Sequence, residues 1–184
     1  MIPACDHNGI IPPMGGYEEG MKIISPFKVT IIEFVERFAT TQQRTEIIEG
    51  FLRFRAGLAK IGVVQGIQWI DGSFVEDVES TQGRPPNDID VITFFPIPPG
   101  RSALDLSEEE IFQHDHVKSN FRTDAYFYVP EWKWDSNDID HYVYWNSLFS
   151  HRRDRVWKGY VHVDLSPELD AIAEKRVRVK GVFE

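Results

Sequence analysis

The sequence predicts a mixed α/β (α+β) domain, a mixed sheet flanked by helices. Three observations lead there. Short apolar or alternating runs, at residues 66–70 and 88–95, interleave with longer stretches of helical period such as residues 47–61. The 184 residues suffice for one sizeable core and would be cramped as two domains. Hydrophobic residues at 42% and charged ones at 27% match globular averages, which excludes a disordered chain.

Residues 1–26 read as an irregular arm, punctuated by Pro3, Pro12 and Pro13 and by Gly9, Gly15, Gly16 and Gly20. The domain proper spans 27–184. Thr30 with Glu33 has capping-box spacing and opens a helix through Ile31, Ile32, Phe34 and Val35. A second helix starts near Thr40, carries the stripe Ile47, Ile48, Phe51, Leu52, Leu58 and Ile61, and stops at Gly62. Residues 66–70 form a strand and Asp71-Gly72-Ser73-Phe74 a turn. An acidic loop over 75–87 leads to a strand over 88–95, stopped by Pro96, Pro98, Pro99 and Gly100. Ser107 with Glu110 opens a helix to about Lys118. Residues 121–129 alternate and form a strand, 137–149 a helix, 159–165 a strand and 168–178 a closing helix.

Composition narrows the function classes. Twenty basic against 29 acidic side chains give a net charge of −9, which argues against nonspecific wrapping of DNA. No apolar run approaches the roughly 18 residues of a bilayer span, and residues 1–6 lack the basic and apolar regions of a secretory signal. The single cysteine, Cys5, can form no internal disulfide and no cysteine-based metal site. The cytoplasm is the expected compartment.

Chemistry centres on Asp88-Ile89-Asp90. With 29 acids in 184 positions, about four or five acid-x-acid pairs arise by chance, so context must supply the information. On a strand Asp88 and Asp90 share a face, about 6–7 Å apart, while Ile89 and Val91 point the other way. Two like charges there are costly unless a cation sits between them, and a divalent ion such as Mg2+ suits hard carboxylate oxygens. The plain alternative is a solvated edge strand. The second copy of the tetrapeptide, Asn137-Asp138-Ile139-Asp140, falls in a first helical turn, where its acids favour the helix dipole. Gly72-Ser73, separated from Asp88 by the fourteen residues 74–87, offers backbone amides and close approach for phosphate, or is an ordinary turn.

Trp69-Ile70-Asp71-Gly72-Ser73 followed by Asp88-Ile89-Asp90-Val91 resembles the signature of the polymerase-β-like nucleotidyltransferase superfamily. Within it, the chain is similar from about Pro26 to Gly159 to a group of small, largely uncharacterised bacterial proteins. The resemblance implies a nucleotidyltransferase-like core and a third carboxylate on a neighbouring strand: Asp124 first, Asp164 as alternative. It further implies transfer of a nucleoside monophosphate from an NTP to an acceptor hydroxyl of protein, RNA or a small molecule. Asp88, Asp90 and Asp124 would hold two Mg2+ or Mn2+ ions, Asp124 would favour loss of the hydroxyl proton, and Gly72 and Ser73 would hold the triphosphate. A toxin–antitoxin or defence setting is compatible with such a chain. A non-catalytic binding module and a metal-dependent phosphohydrolase are the competing classes.

The segment His151-Arg152-Arg153-Asp154-Arg155-Val156-Trp157-Lys158 is locally basic. It reads either as a phosphate clamp through Arg152, Arg153 and Lys158 or as cations at a helix C-terminus. His114-Asp115-His116 reads as a surface helix rather than a metal site, because the two histidines face different sides. Tyr142, Tyr144 and Trp145 read as packing before base stacking.

Overall fold

The computed structural model describes residues 1–130 and 136–180. Its centre is a five-stranded mixed sheet in the order β3-β7-β4-β5-β6. The strands are β3 (Phe27–Val29), β4 (Ile67–Asp71), β5 (Ile89–Phe94), β6 (Thr123–Tyr128) and β7 (Val161–Asp164). β3 runs parallel to β7 and β5 parallel to β6, while β4 is antiparallel to both β7 and β5. The predicted mixed sheet flanked by helices is therefore present.

One face of the sheet, bearing Ile70, Ile89, Val91 and Ala125, packs on helices α1 (Ile31–Phe38), α2 (Gln42–Lys60), α5 (His114–Phe121) and α7 (Pro167–Lys180). Phe34, Phe51, Phe54 and Phe74 fill that interior. Ile92, Phe94 and Trp69 point to the other face and meet Trp145, Phe149 and Tyr142 of α6 (Ser136–Phe149). Among the described residues no helix is long and apolar enough to cross a membrane.

The first capping box forms as read: Glu33 N donates to Thr30 Oγ1 at 3.2 Å and Thr30 N to Glu33 Oε2 at 2.7 Å. The second helix is capped by Thr41 rather than Thr40, with Arg44 N donating to its hydroxyl at 3.2 Å. Gly50 on α2 lets α5 approach: a Cβ there would strike the Phe121 carbonyl.

Four expectations are corrected. The arm is not irregular throughout, because β1 (Met14–Glu18) and β2 (Met21–Ile24) form an antiparallel hairpin, turning through Glu19 and Gly20 at positive φ. Its Ile10 and Ile11 are buried. Strand β3 was hidden by its length of three residues. The acidic loop contains α3 (Val78–Gln82), capped by Asp77 and ended by Gly83 in the left-handed region. The helix expected from Ser107 is instead α4 (Ala103–Ser107), a 3-10 turn over Glu110–Phe112, and α5. The capping box belongs to Ser102 and Asp105. Leu106 is buried on α4 and Ile111 on the 3-10 turn that follows it.

A carboxylate row beside a glycine turn

Strand pairing builds the site. Asp71, the last residue of β4, pairs with Asp90 of β5, and Asp90 pairs with Asp124 of β6. Cross-strand partners share a face, so three carboxylates from three adjacent strands form one row. They lie on the α6 side of the sheet, beyond the aromatic cluster, where the strands give way to loops. Asp88 sits just before β5 with its carboxylate turned to the same place. Asp164 is at the far end of β7, paired with Ile67, and its carboxylate meets Lys28 and His162. Of the two candidates for the third acid, only Asp124 joins the row.

Gly72 follows at once, with φ +82° and ψ −170°, a conformation open essentially to glycine alone. A Cβ on it would collide with the Asp90 carboxylate. Asp90 thus occupies the space that the missing side chain leaves. Ser73 then opens a 3-10 turn, Ser73–Val75. Arg44, reaching from α2, fixes what comes next. Its guanidinium donates to the carbonyls of Phe74 (2.7 Å) and Glu76 (2.6 Å) and forks onto Glu79 at 2.5 and 2.7 Å.

Two lysines serve the acids. Lys158, 2% exposed, places Nζ 2.7 Å from Asp71 Oδ1 and 2.8 Å from Glu76 Oε1. Burial works against its charge, but the two carboxylates outweigh it and hold its pKa above the ordinary value. Lys158 was read from the sequence as a phosphate ligand. Here it lines the cleft as a buried brace between Asp71 and Glu76. Lys118 of α5 lies between the other pair, with Nζ 2.7 Å from Asp124 Oδ2 and 3.2 Å from Asp88 Oδ2. His114 Nε2 is 2.8 Å from Asp124 Oδ1.

The electrostatics are uneven along the row. Burial, opposed by Lys158, pushes Asp71 upward. Burial and the neighbouring charges of Asp88 and Asp124 push Asp90 up to about 6. Asp124 goes the other way: burial is overcome by hydrogen bonds from Lys118 and His114, which hold it below its ordinary value. Those bonds to Asp124 and Asp115 raise His114 in turn.

The row forms the floor of a cleft of about 780 Å³. Gly72 and Ser73 line one side, and Arg152, Arg153 and Lys158 another, so these five border one space with Asp88, Asp90 and Asp124. The helix-terminus alternative for the basic segment fails, because α6 ends at Phe149 and the chain then doubles back. His151 bridges to Trp157, and Arg152 N donates to Val156 O at 2.9 Å. Tyr142 and Trp145 pack on the sheet, Tyr142 stacking on Phe94 with centroids 5.0 Å apart. Asp138 does more than favour a dipole: it is buried and accepts from the Tyr128 hydroxyl at 2.6 Å.

Sequence reading missed Asp71, assigned to the turn, together with Lys118, Arg44 and Glu76. It set His114 aside as a surface residue, while correctly separating it from His116. The neglected signal was position: Lys118 and His114 stand on the helix that leads directly into the Asp124 strand.

Among the described residues no three Asp, Glu, His or Cys side chains are gathered as a group able to hold a metal ion. The donors still differ in fitness. Asp90 is a half-buried carboxylate with no ion pair among the described residues, next to a second hard oxygen donor in Asp88. That fits one divalent ion. Asp124 has both oxygens engaged by nitrogen atoms and does not fit a second.

Neither the curated proteins nor the solved structures contain a match to this chain. A family described as a family of unknown function (DUF6932) matches residues 3–164, a span that includes the whole carboxylate row and the basic loop. The chain belongs to that family.

Proposed function

We propose that this chain is a metal-dependent nucleotidyltransferase that moves a nucleoside monophosphate from an NTP to an acceptor hydroxyl. The observation that carries the reading is the seating of Asp90 against Gly72, with Asp124 in register beside it. A glycine turn in contact with a half-buried acid that has no ion pair among the described residues supports a phosphate approach beside a divalent-ion donor. The resemblance read from the sequence points the same way.

Asp88 and Asp90 are the residues to hold Mg2+ or Mn2+. When bound, that ion supplies neutralising charge to the phosphates and to the leaving pyrophosphate. The chain's own residues do the rest. Gly72 and Ser73 let the triphosphate approach the backbone, and Arg152 and Arg153 reach it from the opposite wall. The acceptor oxygen bonds to the α-phosphorus, the bond from that phosphorus to the bridging oxygen breaks, pyrophosphate leaves, and the hydroxyl proton passes to solvent. Asp124, with both oxygens engaged, orients the acceptor side rather than taking that proton.

The test supplies each of the four NTPs, labelled at the α-phosphate, with Mg2+ or Mn2+ and with bacterial RNA or protein as acceptor. Label transfer and pyrophosphate release are expected from one or more NTPs. Asp88→Ala/Asp90→Ala should reduce both by about a thousandfold or more. Equal signal from the double variant overturns the reading, and release of orthophosphate in place of pyrophosphate makes the chain a phosphohydrolase.

A further inference from the structure

We propose that the ammonium group of Lys118 stands in the place of a second, acceptor-side cation, so that the cleft works with a single divalent ion. The inference rests on the nucleotidyl-transfer reading and departs from the two-ion arrangement that the resemblance implied.

Position is the first support. Lys118 Nζ bridges Asp124 of β6, at 2.7 Å, and Asp88 just before the adjacent β5, at 3.2 Å. An ion shared by those acids would need the same space, at oxygen distances near 2.0–2.1 Å for Mg2+. His114 occupies the remaining Asp124 oxygen at 2.8 Å. A second ion would have to displace a nitrogen from Asp124 before binding it.

Anchoring is the second. Lys118 follows Val117, which is fully buried, and α5 runs into β6 through Arg122 in the left-handed conformation. The ammonium is therefore delivered by the same supersecondary unit that delivers Asp124, six residues later. It is a tethered cation, present at unit occupancy whatever the metal concentration.

Charge is the third. Asp71, Glu76, Asp88, Asp90, Asp124 and Asp154 bring six negative charges to the cleft, and Arg84, Lys118, Arg152, Arg153 and Lys158 five positive ones, a formal balance of 5 − 6 = −1. One divalent ion turns this to +1, and a second, before any nucleotide arrives, would turn it to +3. Asp90 is the acid left without an ion pair among the described residues, and it faces the glycine turn where the nucleotide's ion is wanted.

The experiment counts bound Mn2+ on the full chain, from the free-ion electron paramagnetic resonance signal during titration with Mn2+ alone. Lys118→Met is expected to bind one more Mn2+ than wild type, and Lys118→Met/Asp124→Asn to lose that extra ion. Lys118 is exposed enough for the variant to fold, which a thermal melt verifies. Equal ion counts in wild type and Lys118→Met overturn the inference, as does an extra ion that survives Asp124→Asn. If the counts are equal while pyrophosphate release still depends on Asp88 and Asp90, the assignment of Lys118 falls and the transferase reading stands. If neither protein binds Mn2+, both fall.

Discussion

Replacing Gly72 with alanine tests the coupling between turn and strand directly. Two costs arise. The backbone at φ +82°, ψ −170° lies in a region closed to side chains, a strain of about 1–3 kcal/mol. The added methyl also lands on the Asp90 carboxylate, which must swing away from its seat. For a chain of this length, each kcal/mol shifts Tm by about 2–4 °C, so the variant should melt about 2–12 °C lower. The informative measurement is a double-mutant cycle with Asp90→Ala, followed by urea unfolding. Removing the carboxylate relieves the collision but not the backbone strain, so the two changes should be non-additive by about 1 kcal/mol or more. Gly72→Ala should also lose pyrophosphate release well below its melting point. Additive stabilities, or a Gly72→Ala protein within about 0.5 kcal/mol of wild type, would refute the idea that this glycine exists to seat Asp90.

Other outcomes follow from the same contacts. Asp90 is raised from 3.8 to about 6, worth about 3 kcal/mol at about 1.4 kcal/mol per pH unit. Folding holds its proton more tightly, so wild type loses stability as pH rises from about 4 to 6. In metal-free buffer Asp90→Asn should be more stable than wild type at pH 8 by up to that amount and equal to it below pH 4, read from urea midpoints. Arg55 is buried on α2, bonded to Asp170 at 2.9 Å, Gln68 at 2.5 Å and the Asp164 carbonyl at 3.0 Å. Arg55→Met should cost about 3–5 kcal/mol by leaving Asp170 buried and unpaired, and Arg55→Met/Asp170→Leu should recover much of it. Asp164→Ala removes the contacts of a half-exposed carboxylate with Lys28 and His162. It should change stability by at most about 1 kcal/mol and leave transfer intact, whereas Asp124→Ala should abolish transfer; kinetics on the two variants separate them.

The legible parts of this chain were the local ones. Asp88 and Asp90 could be placed on one face because strand geometry has period two. Gly72-Ser73 could be placed near them because the two flanking apolar runs read as strands. Asp124 was reachable because the resemblance asks for a third acid on a neighbouring strand and the alternating run 121–129 supplies one. Lys118, His114 and Arg44 were not, because their contacts join elements that only the folded topology brings together, and no spacing rule links residue 118 to residue 88. The helix expected from Ser107 failed because Ser102 and Ser107 each precede an acid by three residues, and the spacing alone does not choose the pair that forms the box. Lys158 was misjudged on charge alone, since a cation in a basic run gives no sign of the acids waiting for it.

The N-terminal segment has a mechanical consequence. Gly9 O accepts from Asp77 N at 2.7 Å and Ile11 O from Gly159 N at 2.7 Å. Three consecutive residues thereby suture the stretch after the glycine turn to the stretch after the arginine loop. The gape of the cleft is set from behind, by a stitch that touches no acid in it. Proteolytic nicking within residues 7–13, or a pull transmitted along that strand of chain, would slacken both walls together while the sheet beneath stayed paired.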